Sequence, residues 1–260
     1  MTTIRKVFYK LAIFTCFTMM VMTPGCGQGG LAQSLPTAKI DNSYVSYKVG
    51  SVSSYAENTS RNSAVRVEIE SYGATVRGTG TYFKYKGHSM VVTAAHLFVF
   101  EVPTVLKSEA IITTPHEKVI GTLVYLDTIT DIAVFKVTTL DNRKPARFNR
   151  TPAYTVGQDI VYSGFPGGNN LLTFQGVIIG QGYGTDLAIQ SFAWGGSSGS
   201  GVFDENGRFV GVLVSIMVGP GYQGPQLLGS IAYIAPANLI DSVYLRYNLD
   251  KMEVLMNDGF

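Results

Sequence analysis

Cysteine is almost missing from this chain. Its 260 residues hold two, Cys16 and Cys26, both near the N-terminus. The body therefore has no disulfide and no cysteine metal site. It must stand on an apolar core, which a chain of this length can supply. Charge is sparse too: 15% of residues are charged and the net charge is +2. There is no basic block, so nucleic acid is not suggested as a partner. The three histidines, His88, His96 and His116, are scattered, and no metal or organic cofactor is implied. No internal repeat is apparent. What is abundant is apolar: 46% hydrophobic and 12% aromatic residues, with 29 Gly and 15 Tyr. Such a chain is too apolar to be disordered, and its many Val, Ile and Thr runs favour β structure.

The N-terminus reads as a targeting segment. Arg5, Lys6 and Lys10 precede a 12-residue apolar run, Leu11 to Met22, which Pro24-Gly25 ends. A positive region followed by a run of this length matches a secretory signal and is short for a membrane span. Two exits are open. Gly30-Leu31-Ala32 has the small-x-small form of a cleavage site, while Thr23-Pro24-Gly25-Cys26 resembles a bacterial lipoprotein signal with Cys26 as the lipidated residue. In that pattern Thr23 and Pro24 are departures. A third outcome is an uncleaved hydrophobic anchor. The expectation is an exported protein, secreted or attached to a membrane through its N-terminus. Residues 1–35 are set aside as signal or anchor, and residues 36–60 are expected to be a polar tether.

From residue 64 short strands and turns follow. Ala64 to Glu70 alternates with period two, as a half-buried strand does. Further strands are expected at 78–85, 89–93, 118–125, 132–137, 159–164, 172–180, 187–191, 208–215 and 229–234. Residues 138–157, polar and with Pro145 and Pro152, read as a connection between lobes. Close strand spacing without long helices predicts an all-β fold of antiparallel sandwiches or barrels. Helical character is confined to the end, Pro236 to about Leu249, with Leu239, Ile240, Val243 and Tyr244 as its apolar stripe.

One stretch stands out chemically: Trp194 followed by Gly195-Gly196-Ser197-Ser198-Gly199-Ser200-Gly201. By composition it is a flexible linker. Its setting argues otherwise, because Val202-Phe203 and the apolar run 208–215 pin it against a hairpin. Such a turn can bring a serine hydroxyl and several backbone N–H groups to one point. A serine nucleophile needs a general base, and the base needs an orienting acceptor. His88 and His116 lie in polar turns. His96 closes an apolar strand, Met90 to Ala95, whose small Ala94 and Ala95 allow close packing around the ring. Among the acids Asp131 precedes the apolar strand Ile132 to Phe135, with Asp127 a near competitor; alone, either reads as a turn aspartate.

Thr93-Ala94-Ala95-His96, Asp131-Ile132-Ala133-Val134 and Gly196-Ser197-Ser198-Gly199-Ser200 occur in that order. They resemble the three catalytic motifs of the trypsin-like, chymotrypsin-fold serine peptidases, especially the disulfide-free bacterial and viral branch, over roughly residues 60–245. The order His, Asp, Ser is the one that superfamily uses. Tyr233 to Asn238 resembles that branch's closing strand-to-helix segment. The resemblance implies two antiparallel six-stranded β-barrels with a cleft between them and a short C-terminal helix. The peptidase domain would span 61–250, with lobe 1 at about 61–140, lobe 2 at about 155–250 and a tail at 251–260. It further implies a serine endopeptidase acting on a protein or peptide substrate through an acyl-enzyme. Ser198 would be the nucleophile, His96 the base, Asp131 its orienting partner, and the N–H groups of Gly196 and Ser198 the oxyanion hole. Ser215 would match the substrate-strand serine. A catalytically silent peptide-binding protein on the same fold is the alternative.

There are departures from the family pattern. Ser197 stands where secreted digestive members carry the Asp that captures a new N-terminus, so no such zymogen switch is expected. Ser200 stands where Gly is commoner. The pocket base falls near Phe192 and Ala193, with no acid there, so an Arg/Lys preference is not expected. By the same resemblance Met217 falls near a wall position that is often Gly, where it would narrow the pocket. A preference for small or medium apolar side chains follows.

Overall fold

The alternating segment at residue 64 is a strand with one dry face: Val65, Val67 and Ile69 are buried while Arg66, Glu68 and Glu70 face outward. The computed structural model describes residues 54–71, 74–98, 108–148, 154–221 and 224–257. The segment 1–35 with Cys26, and the tether up to residue 53, lie outside the described residues.

Six strands close the first barrel: β1 (Ala64–Ser71), β2 (Ala74–Tyr85), β3 (His88–Ala94), β4 (Glu109–Thr113), β5 (Lys118–Asp127) and β6 (Ile132–Val137). Their order is β1-β2-β3-β6-β5-β4, and β1 pairs β4 to complete the ring. Closure removes the sheet edges. The second barrel uses β8 (Asp159–Gly164), β9 (Leu172–Gln181), β10 (Leu187–Gln190), β11 (Gly201–Asp204), β12 (Arg208–Gly221) and β13 (Gly224–Pro236). It closes through β11 on β12. The all-β, two-barrel expectation therefore stands, and β4 is a strand beyond those expected.

The two barrels share apolar packing. One face of β8, β11 and β12 fills the second barrel with Ile160, Tyr162, Val202, Val210 and Leu213. The other face, including Val161, Phe203, Phe209, Val212 and Val214, joins the core of the first barrel. Burial on both faces is why 208–215 reads as an unbroken apolar run.

The expected polar connection is not wholly polar. It holds β7 (Arg147–Phe148), which pairs in parallel with β12. The Phe148 ring lies 4.6 Å from Phe83 and 4.7 Å from Phe209, one aromatic from each barrel. This bridges the lobes with apolar contact.

Two helices correct the expected boundaries. The end of the expected tether is helix α1 (Tyr55–Ser63), opened by a capping box in which Ser54 Oγ accepts from Glu57 N–H and Glu57 Oε2 accepts from Ser54 N–H. Its buried Ala56 joins the larger core cluster, and its buried Ser60 reaches the second barrel, where Ser60 Oγ donates to Ser163 Oγ at 2.9 Å. At the other end, α2 (Ser242–Asn257) takes in most of the expected tail. Its phase also differs from the expected stripe. Ile240 is extended, and Asp241 caps the helix by accepting from Val243 and Tyr244 N–H. The face packed on the first barrel is therefore Leu245, Leu249 and Met252, while Val243 is 77% exposed.

Candidate active site

β3 ends at Ala94, and a single 3₁₀ turn, Ala95–Leu97, carries His96 off the barrel rim. Ala94 and Ala95 are buried, so the turn hugs the barrel and leaves the imidazole about one-third exposed. Asp131 sits opposite, at the last position of the β5–β6 turn, with φ of +61°. That left-handed conformation is one that Asp and Asn tolerate better than most residues. The Asp131 carbonyl accepts from Ala95 N–H at 3.1 Å.

The Asp131 carboxylate is buried, at 2% exposure, and both its oxygens face His96. Oδ1 accepts from the His96 backbone N–H at 2.7 Å, and Oδ2 lies 2.8 Å from Nδ1. A carboxylate acceptor holds the proton on Nδ1, which leaves Nε2 as the basic nitrogen. The competitor, Asp127, has a different task. It accepts from Ile129 N–H, Thr130 N–H and the Thr130 hydroxyl, closing the turn that presents Asp131.

The loop bearing Ser198 docks against the same rim. Ser198 O accepts from Thr79 N–H at 2.8 Å, and Gly199 N–H donates to Leu213 O at 2.7 Å. Gly199, at φ +87°, lies flat on Thr79 of β2 and on Thr93 and Ala94, the end of the strand that leads to His96. Ser198 itself is partly exposed. Among the described residues its hydroxyl makes no hydrogen bond to the His96 ring; such contacts are often long in the absence of substrate. The turn before it is closed by Ser197 N–H donating to Trp194 O at 2.9 Å. Gly196 within that turn has φ of +94°, and a Cβ there would press on the Phe165 carbonyl. The turn is thus one that only glycine fits.

The profile of the trypsin-like peptidase domain matches residues 78–212, slightly more than half the chain. The chain belongs to the trypsin-like peptidase domain family. No curated protein sequence matches it significantly. Among solved structures it is similar to the serine endoprotease from Yersinia pestis, at 21% identity and a TM-score of 0.58, covering 78% of this chain and 66% of that one. It is similar to the HtrA-type protease AlgW solved with a tripeptide, at 19% identity and 0.56, over 78% and 63%. A protease from M. tuberculosis in its active form gives 20% and 0.54, over 75% and 82%. At these identities the likeness is one of fold. The chain spans less than two-thirds of the length of the first two.

In this member of the trypsin-like peptidase domain family the four expected pocket residues fall on two segments, Phe192-Ala193 and β12. Ala193 is fully buried and donates its N–H to Gly229 O at 2.8 Å. Phe192 is half-exposed, its ring 5.5 Å from Phe174. Ser215 and Met217 lie on β12 opposite Tyr233 and Leu228, each just past a register shift. None of these eight residues carries an acid. Beneath them lies Tyr162, fully buried, whose hydroxyl donates to Phe192 O. Sequence reasoning missed Tyr162, since a strand tyrosine carries no mark of this role.

Burial pushes the Tyr162 hydroxyl well above the usual phenol range, and Tyr154 likewise. Both stay neutral in the fold while the unfolded chain ionises above pH ~10. Their contribution is therefore intact below pH ~10 and declines above it, by about 1.4 kcal/mol per pH unit for a fully buried group such as Tyr162. Melting temperatures measured from pH 9 to 11.5 should fall more steeply for wild type than for Tyr162→Phe.

Proposed function

We propose that the chain is an exported serine endopeptidase that cleaves through a His96–Asp131–Ser198 triad and an acyl-enzyme. Ser198 Oγ attacks the scissile carbonyl. His96 Nε2 takes its proton and delivers it to the leaving amine. Asp131 fixes the imidazole tautomer and stabilises its charged form. The N–H groups of Gly196 and Ser198 hold the developing oxyanion, an interaction worth about 3–4 kcal/mol per donor. The observation that carries this reading is the buried Asp131 carboxylate gripped twice by His96, on the rim where the Ser198 loop docks.

The substrate is a peptide whose side chain entering the pocket is small or medium and apolar. Ala193, Phe192 and Met217 support this, as does the lack of an acid among them. Export rests on the Arg5–Met22 pattern, with lipidation at Cys26 as one of its routes. The division into a targeting segment, a tether and a peptidase domain belongs to the same proposal, with its helices as described above.

A fluorophosphonate probe tests the chemistry. The native protein is expected to be labelled, with the adduct mapped by mass spectrometry to Ser198. Absence of labelling would favour a silent peptide-binding protein. A peptide-library profile on the active protein should be dominated by Ala, Val or residues of similar size; one dominated by Arg, Lys or Glu would overturn the specificity reading.

A further inference from the structure

The direction of a peptide N–H is set by whatever holds its carbonyl, because the two point oppositely across a trans peptide. All four carbonyls from Gly195 to Ser198 are held. Gly195 O accepts from Gly167 N–H at 2.6 Å and Ser197 O from Ser200 N–H at 3.0 Å. These two bonds orient the N–H groups of Gly196 and Ser198, the proposed oxyanion donors. Gly196 O accepts from the Thr79 hydroxyl at 2.8 Å, and Ser198 O from Thr79 N–H at 2.8 Å. Among the described residues, neither the Gly196 nor the Ser198 N–H donates to another protein group.

Two of the four anchors come from Thr79, which lies on β2 of the first barrel, whereas the turn belongs to the second. They hold the Gly196–Ser197 and Ser198–Gly199 peptides, so they brace the turn on both sides of Ser198 while Gly167 and Ser200 aim the donor N–H groups. Thr79 is fully buried and further fixed: its hydroxyl accepts from Phe165 N–H at 3.0 Å, and its carbonyl accepts from the Thr93 hydroxyl at 2.7 Å. A third anchor, Gly167, is held from the first barrel as well. Arg66 on β1 lays its guanidinium over the Phe165 ring, 4.4 Å from the centroid. It also donates to Gly168 O at 3.3 Å and Asn169 O at 2.9 Å. That grip fixes the 165–169 loop, whose Gly167 N–H holds the Gly195 carbonyl.

We propose that Thr79 and Arg66 are positioning residues by which the first barrel presets the oxyanion turn of the second. The proposal rests on the peptidase reading above. Thr79 acts directly on the turn, and Arg66 acts through the Phe165–Asn169 loop. Neither touches substrate. Their effect falls on the transition state, where the oxyanion forms, and not on ground-state binding.

The test uses the full chain with a peptide ester of the preferred sequence and the matching peptide aldehyde, whose hemiacetal oxygen needs the same donors. Thr79→Val removes the hydroxyl at nearly constant volume. It is expected to lower kcat roughly 10- to 100-fold, below the 10²–10³ typical of losing one donor outright. KM should stay within about threefold, and aldehyde inhibition should weaken in step with kcat. Thr79→Ser, which keeps the hydroxyl, should recover most of the loss. Arg66→Ala, at a half-exposed site, should lower kcat roughly 3- to 10-fold by the same reasoning, with Arg66→Lys recovering little because Lys cannot reproduce the planar stacking. An inert wild type would overturn the peptidase reading and this proposal with it. An active wild type with both variants within twofold of it would overturn the proposal alone. So would losses that follow the melting temperature and not the aldehyde. Should Thr79→Val fail to fold, Arg66→Ala decides.

Discussion

Asp131→Asn is expected to lower kcat about 10⁴-fold while the protein stays folded. The backbone tolerates the change, because φ of +61° suits Asn as well as Asp. The side chain has two orientations, and one is excluded. Turning its amide nitrogen toward His96 N–H sets donor against donor at the 2.7 Å site. The amide oxygen therefore stays there, and the amide nitrogen faces Nδ1 at the 2.8 Å site. Nδ1 must then accept, the ring proton moves to Nε2, and no lone pair remains to take the Ser198 proton. Asp131→Ala removes this conflict but adds left-handed strain, so Asn isolates the tautomer more cleanly. The measurement is kcat/KM on a peptide ester beside a circular-dichroism melt. An Asn variant folded and within tenfold of wild type would remove Asp131 from the mechanism.

What could be read from the chain, and what could not, divides along the range of the interactions. Period-two alternation at Ala64–Glu70 and the apolar run at 132–137 are local signals, and both strands lie where they were expected. The small pair Ala94-Ala95 reads as room for close packing beside His96, and both are buried; the 3₁₀ turn that carries His96 has no such local mark. Separating Asp131 from Asp127 needed the order of three motifs, since both are turn aspartates by local pattern. Helix α1 carried a local signal too, Ser54-Tyr55-Ala56-Glu57, but a polar composition masked its capping box. The phase of α2 was misread because Pro236 opens a 3₁₀ turn and Asp241 caps the helix. Thr79, Arg66 and Tyr162 could not be found this way. Each acts on partners about 30 to more than 100 residues away, and that closeness exists only once both barrels have closed.

The Gly/Ser loop poses the sharpest stability question, and Gly199→Ala answers it. Gly199 has φ of +87°, and a Cβ there would run into Thr79 O and Thr93 Oγ1 and come within 3.0 Å of Ala94 N. Two of those atoms are backbone, so no flexible side-chain end can swing aside. Left-handed strain of about 1–2 kcal/mol and overpacking of about 1–3 kcal/mol together predict a loss of roughly 2–5 kcal/mol. For a domain of this size that is a drop in melting temperature of about 5–20 °C. Gly87 separates the two parts. Its φ is +88°, yet nothing lies within 4 Å of a Cβ built on it. Gly87→Ala should therefore show the torsional cost alone, about 1–2 kcal/mol. Activity should separate the pair further. To fit its methyl, the 199 variant must lift the loop off β3 and carry Ser198 away from His96, and a displacement of about 1 Å can cost 10²-fold in rate. The 87 variant, in the β2–β3 turn, leaves that contact alone and should keep wild-type kcat. Equal melting shifts for the two alanines would mean that the loop docks on β3 less tightly than Gly199 requires.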